Sequence, residues 1–327
     1  MHRAALDTYR CPTCGGELRA DGDDPVIEEG ELRCGACGAG YPVLRGVARF
    51  VPADNYARTF GWQWNRFADT QLDSKNGLGL SEKRLWAETR WPRDLRGETV
   101  LEAGSGAGRF TEALAPSGAR VFTFDYSAAV DANRRANGAA ENVDFAQADI
   151  ARMPFAPETF DRVLCIGVLQ HTPSPREALR ALAAVLKPGG SLVVDCYSVD
   201  RLQPLRGKYH LRRLTAGRDP ASLFPKVEAY FGAWYAALGL ASRVLGPVAH
   251  RAGALVGIAD YRAQLPGVDP RLLREMGLLD TFDQLSPRYD QPQTAETIRG
   301  WLSELGMTDI DVARGFNGVE ARARKPG

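Results

Sequence analysis

From residue 99 onward, short apolar runs alternate with amphipathic stretches along the chain. The runs TVLEA (99–103), RVFTFD (120–125), VDFAQAD (143–149), FDRVLCIGV (160–168) and SLVVDCYS (191–198) have the length of strands and are apolar almost throughout. Strands that are apolar on both faces belong to a parallel sheet covered by helices on both sides. The intervening stretches GRFTEALAPSG and SPREALRALAAVLKPGG read as helices. In the second, Ala178, Leu179, Leu182, Val185 and Leu186 recur at helical spacing, and Pro188-Gly189-Gly190 is the predicted stop. Regular alternation of this kind predicts a doubly wound α/β domain, in which ligands sit at the carboxyl ends of the strands. The alternation breaks at 201–292 and resumes with ETIRGWLSELGM, a helix, followed by DIDVARGF and VEARARK, two strands that pair as an antiparallel hairpin completing the sheet.

Three further segments flank or interrupt this core, which occupies 99–200 and 293–327. Residues 55–98 carry two amphipathic helices, YARTFGWQWNRF and SEKRLWAETRW, around the polar loop TQLDSKNGLGL. They form a helical N-terminal flap in which Phe60, Trp62, Trp64 and Asn65 are candidates for covering a ligand, although at least two of them are expected to be ordinary core. Residues 201–292 form a helical insertion, a lid or acceptor-binding element. Its helix KVEAYFGAWYAALGL sets Val227, Tyr230, Phe231, Trp234 and Leu238 on one face, expected to pack on the core. Residues 1–54 form a small ribbon of short strands ending in YPVLRGVARFV.

The ribbon holds four of the six cysteines, as Cys11-Pro-Thr-Cys14 and Cys34-Gly-Ala-Cys37. Each pair offers two thiolates from one tight turn, and two such turns close a tetrahedral four-thiolate zinc site. Gly15, Gly16, Gly35 and Gly38 suit the positive φ such turns need. A site closed by four sulfurs has no open coordination position, so this zinc is structural rather than catalytic. Cys165 and Cys196 lie in apolar strands and read as small core residues.

Composition adds bounds rather than direction. With 44% apolar and 25% charged residues and a formal net charge of +1, the chain has the balance of a soluble globular protein and no global pull toward nucleic acid. The first ten residues lack the apolar core of a signal peptide, and no run approaches the roughly 18 apolar residues of a membrane span. A cytoplasmic protein is expected. Charge is nevertheless uneven. The ribbon is slightly acidic, with six Lys/Arg against nine Asp/Glu, whereas Arg201–Arg251 carries nine Lys/Arg against two acids. That basic stretch points to an anionic or phosphate-bearing acceptor, or to peripheral contact with an anionic membrane.

The chemistry concentrates at VLEAGSGAGRF (100–110). A dinucleotide turn needs GxGxxG; here Gly104, Gly106 and Gly108 give GxGxG, and Arg109 takes the sixth position. Glu102, just before the turn, would repel a pyrophosphate and favour a cationic ligand such as the sulfonium of S-adenosylmethionine. Asp125 ends the second strand, where a carboxylate accepts ribose hydroxyls. Asp149 ends the third, placed for the amine of adenine, with Ile150 packing on the ring.

These stretches, together with FDYS, QADI, LKPGG and SLVVD, resemble the class I S-adenosylmethionine-dependent methyltransferases, most closely the small-molecule branch that includes the quinone-biosynthesis enzymes. The likeness covers 99–200 well and 293–327 in outline. It implies a seven-stranded, mostly parallel sheet with an antiparallel last strand. It also implies that Gly104, Ser105 and Gly106 line the methionine portion of the cofactor, that Asp125 and Tyr126 hold the ribose and adenosine, that Asp149 and Ile150 frame the adenine, and that Ile166 and Gly167 lie beneath. The ribbon is similar to zinc-ribbon activator proteins of RNA and protein methyltransferases.

In-line methyl transfer needs alignment and exclusion of water more than covalent help. A general base serves a hydroxyl acceptor, and His171, just beyond the fourth strand, is the first candidate; a capping or wall role is the alternative. In the segment DTFDQLSPRYDQPQT (280–294), which holds Asp280, Asp283, Arg288, Tyr289 and Asp290, Tyr289 is the second candidate, with packing the stronger expectation. Arg109 either pairs with a carboxylate or faces the substrate. The resulting expectation is methyl transfer to a small-molecule acceptor, a secondary metabolite, sugar or quinone-like compound. An RNA methyltransferase using the ribbon for recognition is the alternative, weakened by the acidic ribbon and by CIGVLQ where base-amine methylation calls for [ND]PP[YF]. A non-catalytic cofactor-binding assembly protein is a third reading, and Glu102 with the missing third-position glycine disfavours a nicotinamide oxidoreductase.

Overall fold

A computed structural model describes residues 1–52, 54–199 and 205–327. The first residues of the insertion, 201–204, lie outside the described residues. The strands are β1 (Leu18–Ala20), β2 (Glu29–Cys34), β3 (Gly40–Leu44), β4 (Val47–Arg49), β5 (Thr99–Ala103), β6 (Arg120–Asp125), β7 (Val143–Gln147), β8 (Phe160–Cys165), β9 (Leu186–Cys196), β10 (Thr308–Arg314) and β11 (Val319–Arg324). They form one mixed sheet of eleven strands in the order β1-β2-β3-β4-β7-β6-β5-β8-β9-β11-β10. The ribbon therefore continues the sheet instead of standing beside a seven-stranded one. Its last strand pairs parallel to β7, Val47 opposite Phe145 and Arg49 opposite Gln147. At the far edge β11 runs antiparallel to β9 and to β10, the hairpin expected from the sequence.

The helices are α1 (Arg58–Arg66), α2 (Asp73–Asn76), α3 (Leu80–Thr89), α4 (Arg109–Leu114), α5 (Val130–Asn137), α6 (Pro175–Ala184), α7 (Gly207–Thr215), α8 (Pro220–Leu245), α9 (Val248–Arg251), α10 (Gly253–Val256), α11 (Pro270–Leu285) and α12 (Ala295–Glu304). Successive strand residues divide between two cores, as the two-residue strand period requires. Leu101, Phe122, Val163 and Val194 join α6, α12 and the ribbon on one face. Val100, Val121, Leu164 and Val193 meet Phe110, Leu114, Val130 and Leu85 on the other. A third core, inside the insertion, joins Phe224, Phe231 and Leu238 of α8 to Leu278 and Phe282 of α11, with Trp62 and Trp64 of α1 packed against it.

Three local expectations are corrected. The helix α6 stops at Ala184, and Leu186–Gly190 already belongs to β9, because the Lys325 amide donates to the Gly190 carbonyl and the Lys325 carbonyl accepts from the Gly189 amide, holding this stretch at the end of β11. On α8, Val227, Phe231 and Leu238 are buried but Trp234 is exposed, so the apolar face extends past what the core covers. Of the four glycines beside the cysteine pairs, Gly15 and Gly38 adopt positive φ and Gly16 and Gly35 do not.

Candidate functional site

The carboxyl ends of β5, β6, β8 and β9 open, with α1 and the insertion, onto a cavity of about 530 Å³, within the range of small-molecule sites. The glycine turn forms its floor. Gly104, Gly106 and Gly108 have φ of +81°, +54° and +93°. A Cβ on Gly104 would sit 2.3 Å from Val168, and one on Gly108 2.2 Å from Asn133. Two of the three glycines are thus demanded by conformation and space together. Ser105, between them, lines the cavity with a buried hydroxyl that has no partner.

Asp125 lies beside the turn. Its Oδ2 accepts from the Gly106 amide at 2.9 Å, and its Oδ1 from the amide and hydroxyl of Ser127 at 2.8 and 2.7 Å. Burial raises its pKa, against these bonds. Two lone pairs per carboxylate oxygen leave Oδ2 one acceptor position for a ligand hydroxyl. Tyr126 stacks on Tyr56 at 4.6 Å, and both line the cavity with Ile150, Ile166 and Gly167.

Glu102 is elsewhere. It faces the α4–α5 side of the sheet, where its Oε2 accepts from the hydroxyls of Thr111 and, at 2.8 Å, Thr123, and Oε1 has no partner. Burial pushes its pKa up to about 7. It is not among the residues that line the cavity, because residues that alternate along β5 cannot all face the ligand. Asp149 is also outside the lining, because its Oδ1 accepts the Ala151 amide at 2.9 Å in a tight turn.

Opposite the turn stands a polar wall. His171 packs against Phe60 and Tyr197, and its Nδ1 lies 2.9 Å from the Tyr289 carbonyl. A carbonyl only accepts, so Nδ1 carries the proton and Nε2 keeps a free lone pair. Burial lowers the pKa to about 4, leaving the ring neutral and a weak base. Tyr289 contributes that carbonyl, while its ring packs edge-on against Tyr56, outside the cavity lining. Asp280 and Asp283 of α11 do line the cavity. Tyr261 donates to Asp280, whose pKa burial raises to about 6. Gln63 donates to Asp283 at 2.8 Å, and burial raises its pKa also. Arg109 lines the same space, donating to Gln71 at 2.7 Å while its buried Nε has no partner. Lys208 enters from α7, ion-paired with Asp290 at 3.1 Å.

Far from this cavity, the sulfurs of Cys11, Cys14, Cys34 and Cys37 lie within 4.8 Å of one another, all free thiols. The Cys11–Cys37 and Cys14–Cys34 separations are 3.7 and 3.5 Å. A tetrahedral zinc site with Zn–S bonds of about 2.3 Å has sulfur–sulfur edges of about 3.8 Å, so the set fits that ion. Cys165 and Cys196 are buried in the core.

A methyltransferase domain family matches residues 101–194. The chain is 31% identical over 184 residues to a ubiquinone biosynthesis O-methyltransferase of Pseudomonas entomophila, spanning 54% of this chain and 78% of that protein. It belongs to the S-adenosylmethionine-dependent methyltransferase family. A demethylmenaquinone methyltransferase of Clavibacter sepedonicus is 34% identical over 137 residues, covering 41% of this chain and 56% of the relative, so the chain spans little more than half of that relative's length. Among solved structures, human N-acetylserotonin methyltransferase in complex with its methyl donor aligns over 85% of this chain and 61% of its own, at 16% identity and a TM-score of 0.47.

The methyltransferase cavity thus gathers Gly104, Ser105, Gly106, Asp125, Tyr126, Ile150, Ile166, Gly167 and His171, and leaves out Glu102, Asp149 and Tyr289. From the flap it takes Phe60 and Trp64; Trp62 packs instead on Phe224 and Phe282, and Asn65 bonds the Gly61 and Ala128 carbonyls. Sequence reasoning missed Tyr56, Tyr197, Lys208 and Tyr261 as lining residues. Asp280 and Asp283 carried a signal, their position in the acid-rich segment before the returning helix.

Proposed function

We propose that this protein transfers the methyl group of S-adenosylmethionine to a small-molecule acceptor held between the glycine turn and the helical insertion. The observation that carries the reading is a single cavity shared by the unpartnered Ser105 hydroxyl, the glycine turn and Asp125 on one side and by Asp280, Asp283 and Arg109 on the other. The donor fits the first side: Gly104–Gly106 leave room for its methionine portion, Asp125 Oδ2 offers an acceptor to a ribose hydroxyl, and Tyr126 and Ile150 offer apolar surface to the adenine. When bound, it supplies an electrophilic methyl group on a positively charged sulfur.

The rest of the work falls to the chain. The aromatic rings of Tyr56, Phe60 and Trp64 exclude water over the turn. Asp280, with a pKa near 6, is mostly ionised at neutral pH and basic enough to take a proton from an acceptor hydroxyl at Oδ1, while Tyr261 fixes Oδ2. His171 Nε2 accepts a hydrogen bond and orients the acceptor, its low basicity suiting it to that task better than to proton transfer. The Arg109 guanidinium favours an acceptor that is anionic or becomes so on losing its proton. An aromatic hydroxyl compound related to quinones satisfies these groups and agrees with the names of the quinone-biosynthesis relatives. In the ribbon, Cys11, Cys14, Cys34 and Cys37 hold a structural zinc.

The test is calorimetric titration with S-adenosylmethionine, S-adenosylhomocysteine and NAD, followed by a methyl-transfer screen of hydroxylated aromatic acceptors. Micromolar binding of the first two and none of the third is expected. Absence of binding by either sulfur compound overturns the donor assignment.

A further inference from the structure

The insertion presents to solvent a surface that the methyl-transfer reading does not use. Residues 229–259 contain no aspartate or glutamate, while Arg243 and Arg251 provide positive charge. Within this stretch Leu240, Leu245, Val248 and Leu255 are 59–62% exposed and Val244 is 87% exposed. Singly scattered exposed aliphatics are ordinary, but five large ones within sixteen residues are a patch. They sit on the last turns of α8 and on α9 and α10, three helices that pack against one another. On α8, Leu240 and Val244 lie opposite the face that Val227, Phe231 and Leu238 commit to the insertion core, and Leu245 continues that core face past the point where the core ends.

We infer that this patch docks the protein onto an anionic lipid surface, with the aliphatic side chains entering the boundary of the acyl chains and Arg243 and Arg251 meeting the headgroups. Three features favour lipid over a protein partner. Apart from Trp234, at 39%, the exposed set is aliphatic, and tryptophan suits a membrane interface, whereas protein hot spots draw on aromatic side chains and arginine in sealed pockets. The charge is of one sign, complementary to an anionic leaflet. No helix among the described residues is long and apolar enough to cross a membrane, so an apolar face beside basic residues marks a helix lying in the interface. The patch is continuous with the cavity: Arg251 and Ala254, between Val248 and Leu255, are both exposed and line the cavity wall. An apolar acceptor partitioned in the bilayer would meet the cavity at its docked edge.

The inference stands apart from methyl transfer, because lipid binding needs neither donor nor acceptor. The experiment is co-sedimentation of the full chain with phosphatidylcholine vesicles and with vesicles containing 30% phosphatidylglycerol. The wild type is expected to bind the anionic vesicles at least tenfold more tightly than the neutral ones. Val244→Glu combined with Val248→Glu, at exposed positions where folding is checked by circular dichroism and thermal melting, is expected to lower that binding at least tenfold. Equal binding to both vesicle types, no binding to either, or an unchanged double variant overturns the inference. So does concentration-dependent self-association that the double variant abolishes, since the patch would then join two copies of the chain.

Discussion

Replacing Glu102 by Gln tests what lies beneath the glycine turn. The Glu102 side chain is 2% exposed, its Oε2 takes two threonine hydroxyls, and its Oε1 has no partner. Burial raises its pKa from 4.5 to about 7. Between those values the native state holds a proton that the unfolded chain releases, so the stability contributed by this group is complete below pH 4.5 and is lost as pH rises to 7. At about 1.4 kcal/mol per pH unit the loss is roughly 3 kcal/mol. Glutamine carries no charge at any pH and keeps the shape, and the hydroxyls of Thr111 and Thr123 can turn to accept from its amide. Guanidinium unfolding of wild type and Glu102→Gln at pH 5 and pH 8, with ribbon metal content held constant, reads the difference directly. The variant is expected to gain about 2–3 kcal/mol on the wild type between the two pH values. Parallel pH profiles would refute the burial argument. The same variant should bind the methyl donor within about twofold of wild type. A carboxylate facing the sulfonium would instead cost tenfold or more, about 1.4 kcal/mol.

Three other substitutions address the cavity itself. Gly104→Ala forces a side chain into a left-handed conformation 2.3 Å from Val168, so a stability loss of about 2 kcal/mol or more is expected by denaturant unfolding, and a neutral result would contradict the packing around the turn. Asp125→Ala removes the acceptor offered to the ribose and should weaken donor binding more than tenfold, roughly 1.4 kcal/mol, by calorimetry. Asp280→Asn should slow turnover by about 10²–10⁴ on a hydroxyl acceptor and erase a limb in which the wild-type rate rises with pH through about 6, as Asp280 ionises; a retained limb would move the proton acceptor to another group.

The parts of this molecule that were legible in the sequence are those fixed by local rules. Alternation gave the order of β5 to β9 and the helices between them, because strands covered on both faces have to be apolar throughout. The four cysteines announced their cluster because two CxxC turns have few other uses in one short segment. Glu102 was misplaced although its signal was present. Leu101 and Ala103 share one face, so Glu102 turns to the other, where it stands opposite Thr123 on β6. Asp149 and Tyr289 lie outside the cavity lining, with a local turn holding one and a ring contact holding the other. The acceptor wall was the least legible part. Asp280, Lys208 and Gln63 come from three separate helices and Tyr261 from the loop before α11, and they meet only through tertiary packing. The joining of ribbon and core had no signal at all, since a three-residue strand carries no period.

That joining ties the ribbon to the proposed donor site. Arg49, the last residue of β4, donates to Gln147 at 3.2 Å and to Asp131 at 2.6 Å. Gln147 in turn donates at 3.0 Å to the carbonyl of Tyr126, which also receives Asn55 from the chain that leaves the ribbon, at 2.9 Å. Tyr126 and its stacking partner Tyr56 are the aromatic surface that the proposed donor site offers to the adenosine. The β3–β4 hairpin therefore links the cysteine cluster to the backbone that sets the angle of that surface. Under the zinc proposal, withdrawing the metal leaves four sulfurs crowded at about van der Waals contact with nothing to hold them, and the strands between the knuckles lose their tie. Cys14→Ser is expected to abolish the roughly one equivalent of zinc per chain, lower the melting temperature and weaken donor binding several-fold, although no ribbon cysteine lines the cavity. Donor affinity measured by calorimetry on the metal-free protein decides the matter. If it equals that of the metal-loaded protein while the melting temperature falls, the sheet beyond β7 holds Tyr126 without help and the ribbon acts only on its own stability; if both fall together, the eleven strands behave as one body.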